Sequence, residues 1–224
     1  MIENDRGAAH RMGIRERKER QRAELRDRIL AAAREIVARQ GLAGLTMRGI
    51  AQAVEYSPAA LYQHFASRDE IARDLCVQGF GELLDALRPA AGTADPLARI
   101  AALAHAYVGF GLRQPETYRL IFMEDPQILK AVFRPTTGSA AGPDAASVGA
   151  EAFMLLVRTF ADLQAAGHLA ADADPTVLAE VAWAGLHGIV SLKLTCPAFQ
   201  GASPEVLTAT LIRTLIDGLP GPRP

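Results

Sequence analysis

Several features that mark specialised classes of protein are scarce in this sequence. Its 224 residues include only two cysteines, Cys76 and Cys196, which are too few and too far apart for a disulfide framework. The N-terminus carries charges from Glu3 onward and lacks the apolar core of a signal peptide. The longest uncharged apolar run, residues 181–192, is shorter than the roughly 20 residues that span a bilayer. We therefore expect a cytoplasmic protein without a membrane segment.

The chain also lacks an overall excess of charge of one sign, since its formal net charge is −1. The distribution is uneven. Residues 1–73 contain 14 Lys and Arg against 10 Asp and Glu, a net charge of +4, whereas residues 74–224 contain 10 against 15, a net charge of −5. Phosphate attracts the first part and repels the second. Any contact with nucleic acid is therefore expected in the first third of the chain.

Catalytic motifs are absent as well. The sequence contains no Gly-x-Ser-x-Gly elbow, Gly-rich phosphate loop, His-Glu-x-x-His pair or Cys-x-x-Cys site. Its five histidines and its carboxylates are spread singly over predicted helices. We expect no enzyme, no cofactor and no metal site. A helical enzyme whose site is assembled only in three dimensions stays a remote alternative, which turnover of a ligand would reveal.

Helical patterns fill most of the chain, and two short ones lie close together between residues 46 and 65. Thr46 and Ser57 can each cap a helix that begins just after them, and Pro58 suits a first helical turn. Apolar residues recur with helical spacing at positions 47, 50, 51 and 54, and again at positions 58, 61 and 65. Two such helices around a tight turn are typical of a helix-turn-helix unit, which places its second helix in the major groove of DNA.

The outward face of the second helix carries small and uncharged side chains. Alanine can contact a thymine methyl group, and Gln63 can pair with adenine. Tyr62 and His64 suit hydrogen bonds to phosphates, which fix the register without reading the sequence. The predicted DNA-contacting residues are Thr46 and Arg48 at a phosphate edge, Ser57, Pro58, Ala59, Ala60 and Gln63 toward bases, and Tyr62 and His64 on the backbone.

These residues carry a family resemblance. Ile50-Ala51, Ser57, Leu61-Tyr62, His64-Phe65 and the run 67–70 (Ser-Arg-Asp-Glu) resemble the core pattern of the tetracycline-repressor (TetR) family over residues 22–82. The resemblance implies an all-α protein, in which a three-helix DNA-binding domain precedes a helical domain for dimerisation and small-molecule binding.

One departure from the family pattern concerns the turn. The family usually has Ala-Gly-Val where this chain has Val54-Glu55-Tyr56. If the middle residue takes a left-handed conformation, Glu55 in place of glycine costs about 1 kcal/mol. We expect the fold to survive this cost and leave the geometry of the turn open.

Residues 1–21 are polar and have no apolar stripe before Leu25, so we expect a flexible basic arm. It either follows the DNA backbone or minor groove or is a solvated tail, and the sequence favours neither reading. Its basic side chains include Arg6, Arg11, Arg15, Arg17, Lys18 and Arg20. A first helix should end near Gln40 with Gly41 as a left-handed cap, and Ser67 with Glu70 forms a capping box for a fourth helix.

Residues 95–219 form the second predicted domain. Asp95, Asp174 and Ser203 each precede a proline, which places a capping side chain before a first-turn proline. The helices are expected near 96–113, 115–123, 145–166, 175–195 and 204–218, and the segment 134–143 is a loop by composition.

The last two predicted helices have apolar residues on several sides. The helix from residue 175 is apolar almost all round, and leucines recur at every fourth position of the final helix. Two such helices from each subunit would form a four-helix interface, although they could instead complete a monomeric core. We favour a homodimer, because a two-fold helix-turn-helix protein binds two half-sites about 34–36 Å apart. Small residues that would allow close approach are Ala182, Gly185 and Gly188.

The run from Ala182 to Gly188 resembles a C-terminal TetR subtype named for a Trp-His-Gly signature, as does Tyr118–Phe122. Trp183 and His187 lie four residues apart on one helix face, which suits the lining of a cavity. For His187 we favour the alternative, a packed side chain bonded to backbone. The candidate ligand-binding residues are His105, Phe110, Phe153, Trp183 and His187.

Together these patterns predict a ligand-responsive transcriptional regulator. Its preferred form is a repressor that binds a roughly palindromic operator as a homodimer and is released by a small-molecule effector. A DNA-binding activator, or an architectural protein without an effector, is the alternative.

Overall fold

The computed structural model describes residues 3–124, 145–196, 198 and 201–218, with side chains given for all of these except 3–15 and 145–146. No strand occurs among these residues, and the predicted all-α class is confirmed. The helices are α1 (Glu3–Gln40), α2 (Met47–Ala53), α3 (Pro58–Leu61), α4 (Arg68–Ala91), α5 (Pro96–Arg113), α6 (Pro115–Phe122), α7 (Ala145–Ala165), α8 (Pro175–Thr195) and α9 (Pro204–Gly218), with a 3₁₀ turn at Leu42–Gly44.

The described residues form two compact units. The first extends to Leu75 and includes Glu124, whose Oε1 accepts a hydrogen bond from the Leu42 N–H at 3.2 Å. The second contains Cys76–Met123 and the described residues from Ala145 onward. The division follows Leu75 inside α4, a continuous helix that also contains residue 82. The predicted domain bounds at 22–82 and 95–219 stay a prediction. The loop predicted at 134–143 lies outside the described residues.

Helix α1 is longer than the sequence pattern predicted. It begins at Glu3, so the segment expected to be a flexible basic arm is helical from that residue. Arginine, glutamate and lysine are good helix formers, and side chains 16–24 are exposed without preventing the helix. The start of the apolar stripe at Leu25 therefore marks where burial of α1 begins, not where the helix itself begins. The flexibility of residues 1–21 stays a prediction. Gly41 ends the helix with a φ of 67°.

The second unit follows the predicted helix boundaries within one residue. Asp95 Oδ2 accepts from the Ala98 N–H at 2.8 Å, and Asp174 Oδ1 accepts from the Thr176 N–H at 2.8 Å. The Ser203 hydroxyl accepts from the N–H of residue 206 at 3.3 Å. Each cap satisfies a backbone donor that has no partner within its helix, which is why these short polar residues begin helices.

The start of α4 forms a modified capping box. The Ser67 hydroxyl accepts from the Glu70 N–H at 3.2 Å, as predicted. The Glu70 carboxylate returns to the N–H of Ala66 at 2.6 Å, one residue before the expected partner. Both bonds still hold the chain at the point where it leaves the helix-turn-helix unit.

Helix α8 buries one face and exposes apolar side chains on others. Ala179, Ala182, Leu186 and Val190 are fully buried, whereas Val181 is 49% exposed. By length and composition alone this helix could also cross a membrane. The sequence did not predict this, because its uncharged apolar run at residues 181–192 is shorter than a bilayer span. Its buried face packs against α5, α7 and α9, so α8 is a core helix of the second unit.

The small residues of α8 pack mainly within the chain. Ala182 belongs to the buried face, and a Cβ added at Gly185 would lie 2.7 Å from Leu211 Cδ2 of α9. A Cβ added at Gly188 would meet no atom within 4 Å. Ala182 and Gly185 therefore serve contacts inside one chain, and Gly188 alone of the three stays open. Of the two cysteines, Cys76 is buried, whereas Cys196 is exposed after the end of α8.

Candidate nucleic-acid interface

Helices α2 and α3 begin at the capping residues that the sequence predicted. The Thr46 hydroxyl accepts from the Gly49 N–H at 3.0 Å, and the Ser57 hydroxyl accepts from the Ala60 N–H at 3.2 Å. Pro58 occupies the first turn of α3. Because proline has no N–H and a fixed φ, it fits this position without losing a hydrogen bond.

The turn between α2 and α3 contains a left-handed residue. Glu55 has a φ of 60° and is the only non-glycine residue with positive φ in the described part of the chain. Its N–H donates to the Gln52 carbonyl at 3.3 Å, and the Tyr56 N–H donates to the Ala51 carbonyl at 2.9 Å. These two bonds form a Schellman motif, the usual C-terminal cap of a helix. The turn therefore keeps standard geometry without glycine, at a cost of about 1 kcal/mol.

Helix α3 is very short. After its four residues, the Gln63 N–H bonds to the Ala60 carbonyl at 3.2 Å and the His64 N–H to the Leu61 carbonyl at 2.8 Å, so the helix tightens into turns. A segment this short has no helical stability of its own. Leu61 and Phe65 are buried and anchor it to the first unit.

Two arginines of α1 bind the main chain at the end of this segment. Arg22 Nη2 donates to the Gln63 carbonyl at 3.2 Å, and Arg26 Nη1 donates to the His64 carbonyl at 3.0 Å. Arg26 also pairs with Asp74 of α4. The sequence pattern did not predict these contacts, although the four-residue spacing of the two arginines places them on one face of α1. They fix the carboxyl end of residues 58–65, the recognition segment.

The nine predicted DNA-contacting residues lie on the outward side of this unit. Seven are exposed, and only Ala60 and His64 are half-buried. Tyr62 has 56% of its surface exposed, which leaves its hydroxyl accessible. Pro58 is exposed too, although its helical spacing had placed it on the buried stripe with Leu61 and Phe65. The surface opposite the buried anchors is thus free to meet a partner.

His64 is held neutral near neutral pH. Burial, followed by the charges of Arg22 and Arg26, holds its pKa below the usual value. Its Nδ1 is buried without a hydrogen-bond partner among the described residues. Any phosphate contact by His64 in this state is therefore a hydrogen bond from a neutral ring, not an ion pair.

A polar cleft of about 640 Å³ lies beside the recognition segment. Two cationic side chains, Arg22 and Arg28, share its lining with the outward residue Gln63. Two of the positive charges of the first unit are therefore placed next to Gln63. The full lining consists of Gln21, Arg22, Glu24, Leu25, Arg28, Tyr56, Gln63 and His64.

In the second unit, three of the five predicted ligand-binding residues come together. The ring centroids of Trp183 and His187 lie 6.1 Å apart, and those of Phe153 and Trp183 lie 6.3 Å apart. Phe122 contacts both Trp183 and His187, with centroid distances of 6.0 and 5.7 Å. Trp183 is 37% exposed, so part of this aromatic cluster is accessible.

A chain of hydrogen bonds runs through the aromatic cluster. Trp183 Nε1 donates to the Tyr107 hydroxyl at 3.0 Å, the Tyr107 and Tyr118 hydroxyls lie 2.9 Å apart, and the Tyr118 hydroxyl lies 2.6 Å from His187 Nδ1. Burial raises the pKa of Tyr107 to about 12 and also raises the pKa of Tyr118, whereas burial lowers the pKa of His187. The Tyr118 hydroxyl is therefore hydrogen-bonded to a neutral imidazole, and the tautomer of His187 sets which of the two donates. His187 bonds a side chain, not the backbone partner that we had favoured.

The other two predicted ligand-binding residues take different positions. Phe110 is 1% exposed and belongs to the core. His105 is exposed and lines a groove of about 390 Å³ between α5 and α9, together with Ile212 and Ile216. Within the described part of the chain, no group of three or more His, Cys, Asp or Glu side chains could hold a metal ion.

Comparison with known proteins decides the family. Residues 29–75 match the family of bacterial regulatory proteins named tetR, and residues 100–215 match the tetracyclin repressor-like C-terminal domain, which alone spans more than half of the chain. The chain belongs to the TetR family. This TetR-family protein is a transcriptional regulator of the DNA-binding, helix-turn-helix type and not an enzyme. The Trp-His-Gly subtype is not confirmed by these matches.

Relatives of this TetR-family chain include proteins of known structure. A protein of unknown function from Rhodococcus sp. RHA1 is 30% identical, with 87% of this chain and 95% of that one covered and a TM-score of 0.68. The fatty acid degradation regulator FadR from Bacillus halodurans is 14% identical over 87% of this chain and 99% of its own, with a TM-score of 0.67, and supports the fold alone.

A curated relative is YobS, an uncharacterized HTH-type transcriptional regulator from Bacillus subtilis (strain 168). It is 27% identical over 96 residues, which cover 43% of this chain. The match spans half of the length of YobS.

Proposed function

We propose that this protein is a ligand-responsive transcriptional repressor in the cytoplasm, which binds a roughly palindromic operator as a homodimer and is released by a small-molecule effector. The observation that carries the proposal is the exposed outer surface of α3, supported by two capped helix starts and by buried anchors, in a chain of the TetR family.

The proposed DNA contacts divide by chemistry. Thr46, Arg48, Tyr62 and His64 bind phosphates and fix the register of the protein on the duplex. Residues 57–60 and Gln63 face the base edges, where Gln63 makes a bidentate contact to adenine. The exposed basic side chains of α1 extend this surface along the DNA backbone.

The proposed dimer uses α8 and α9. Val181 and Leu192 of α8 are 49% and 44% exposed, and Val206 of α9 is 55% exposed, so both helices carry apolar side chains that one chain leaves in water. Burying these side chains against the same helices of a second copy would satisfy the two-fold symmetry of an operator with two half-sites.

The proposed effector site is the aromatic cluster of Phe153, Trp183 and His187. It combines accessible aromatic surface with polar groups that are already oriented by the hydrogen-bonded chain, which is the composition of small-molecule sites. An effector releases DNA only if it binds the non-binding state more tightly than the operator-bound state. The role of the cluster is therefore to discriminate between two conformations of the protein.

Selection of bound fragments from genomic DNA, followed by affinity measurements at several salt concentrations, tests the proposal. Tyr62→Phe should weaken binding about equally on all sequences, because it removes a phosphate contact. Gln63→Ala should relax the preference at one base-pair position by about 1–3 kcal/mol.

Two results would overturn parts of the proposal. Absence of salt-dependent affinity for any duplex would remove the DNA-binding role altogether. Operator binding that persists with every small molecule tested would favour an architectural protein instead of a ligand-released repressor.

A further inference from the structure

Arg28 of α1 contacts both neighbours of the strained residue in the turn, the carbonyl of Val54 and the ring of Tyr56. Its Nη2 donates to the Val54 carbonyl at 3.2 Å, and its guanidinium carbon lies 5.6 Å from the centre of the Tyr56 ring. Glu55, the residue between them, has a φ of 60°. The contact joins two positions that are 26 residues apart in sequence.

The carbonyls at the end of α2 show why this contact matters. The carbonyls of Ile50, Ala51 and Gln52 accept hydrogen bonds from the N–H groups of the next turn. The Val54 carbonyl lies beyond those bonds and directly precedes the left-handed residue, where Arg28 is its donor. A cation at the carboxyl end of a helix is also favoured by the helix dipole.

The turn controls the position of α3. Ser57, the cap of α3, follows Glu55 by two residues, and α3 itself has only four residues. Because so short a helix cannot hold its own geometry, a change in the turn moves the surface that carries Gln63. Glycine would adopt the left-handed conformation without strain, whereas glutamate needs support from elsewhere in the fold.

We propose that Arg28 is a positioning residue for operator binding, which holds the glycine-free turn at Glu55 and so keeps α3 in the conformation that reads DNA. The role rests on the proposed DNA-binding function. Arg28 acts through the carbonyl of Val54 and the ring of Tyr56, and its contribution depends on the residue at position 55.

A double-mutant cycle tests this dependence. The variants are Arg28→Gln, Glu55→Gly and the combination of both, with operator affinity measured by fluorescence anisotropy on a selected duplex and on a scrambled duplex. Arg28→Gln should lower operator affinity roughly ten-fold, as expected for a lost charge-assisted hydrogen bond. In the Glu55→Gly background the same substitution should have a clearly smaller effect, because glycine holds the turn unaided.

Two further variants separate positioning from charge and from folding. Arg20→Gln removes an exposed cation from the same helix, and its effect should be equal with glutamate or glycine at position 55. Arg28→Lys keeps a cation for the carbonyl but lacks the planar group that stacks on Tyr56, so it should restore part of the affinity. Melting curves establish that each variant is folded at the temperature of the binding assay. If Arg28→Gln is not folded there, Arg28→Lys replaces it in the cycle.

Equal losses from the Arg28 substitution in both backgrounds would overturn the proposal, as would equal losses on the selected and scrambled duplexes. These results require a wild-type protein that binds the operator, so they differ from failure of the proposed function. If the wild type binds no duplex, the DNA-binding function and the role of Arg28 are both overturned.

Discussion

Replacing Tyr118 by phenylalanine removes a single oxygen atom from the centre of the hydrogen-bonded chain in the second unit. Tyr118 is fully buried, and its hydroxyl lies 2.9 Å from the Tyr107 hydroxyl and 2.6 Å from His187 Nδ1. The ring and its packing are kept, so the change tests the hydrogen bonds and not the volume. Both partners would lose a hydrogen bond at a site that water reaches poorly.

The expected cost follows from the unsatisfied partners. Leaving a buried polar group without a partner costs about 1–3 kcal/mol. For a chain of this length, each kcal/mol lowers Tm by about 2–4 °C, so Tyr118→Phe should lower Tm by roughly 2–12 °C. Operator affinity measured well below the Tm should change little, because the substitution lies outside the DNA-contacting surface.

The chain carries its own reporter for this experiment. Trp183 is the only tryptophan, and its Nε1 donates to the Tyr107 hydroxyl that Tyr118 contacts. Its fluorescence should therefore change in Tyr118→Phe before any unfolding. Tyr62→Phe is the matched control: its hydroxyl is on an exposed side chain, so stability should stay within about 0.5 kcal/mol while operator affinity falls.

An unchanged Tm together with unchanged Trp183 emission would refute this reasoning, since it would mean that the three side chains do not depend on the Tyr118 hydroxyl. A loss of operator affinity as large as that of Tyr62→Phe, in folded protein, would also contradict the separation of the two sites.

The other predictions concern pH, the effector and the turn. Because the pKa values of His64 and His187 are lowered in the fold, the unfolded chain binds more protons as the pH drops below about 6.5, and stability should decline there. Glutamine at either position should flatten the decline of Tm from pH 7.5 to 5.5. Trp183→Ala should alter the effector response more than operator affinity; equal losses of both, with a lower Tm, would identify a plain core residue. Glu55→Gly should raise stability by about 1 kcal/mol in thermal melts, and a fall would contradict the strain assigned to the turn.

Local chemistry explains which elements the sequence could predict. Thr46, Ser57 and Asp95 bind N–H groups two or three residues away, so their effect depends on neighbours that the sequence itself places. The turn at Glu55 is different: only the family pattern, with glycine at this position, raised a left-handed residue, and the sequence left its geometry open until the structure gave a φ of 60°.

Contacts between distant segments could not be predicted in this way. The spacing of Arg22 and Arg26 shows that they share a helix face, but not that this face meets carbonyls about 40 residues later. The same limit applied to His187, whose partner Tyr118 lies 69 residues away, and to Gly185, whose close neighbour is Leu211. Helical periodicity identifies a buried side, whereas the identity of the neighbour depends on the packing of the whole unit.

The arginines that hold the recognition segment bind carbonyl oxygens, which every amino acid possesses. Substitution of the outward side chains at positions 59, 60 or 63 therefore leaves this support intact. A change of operator preference in such a protein requires no rebuilding of its scaffold. The same frame can present a different set of base-reading groups while keeping its stability.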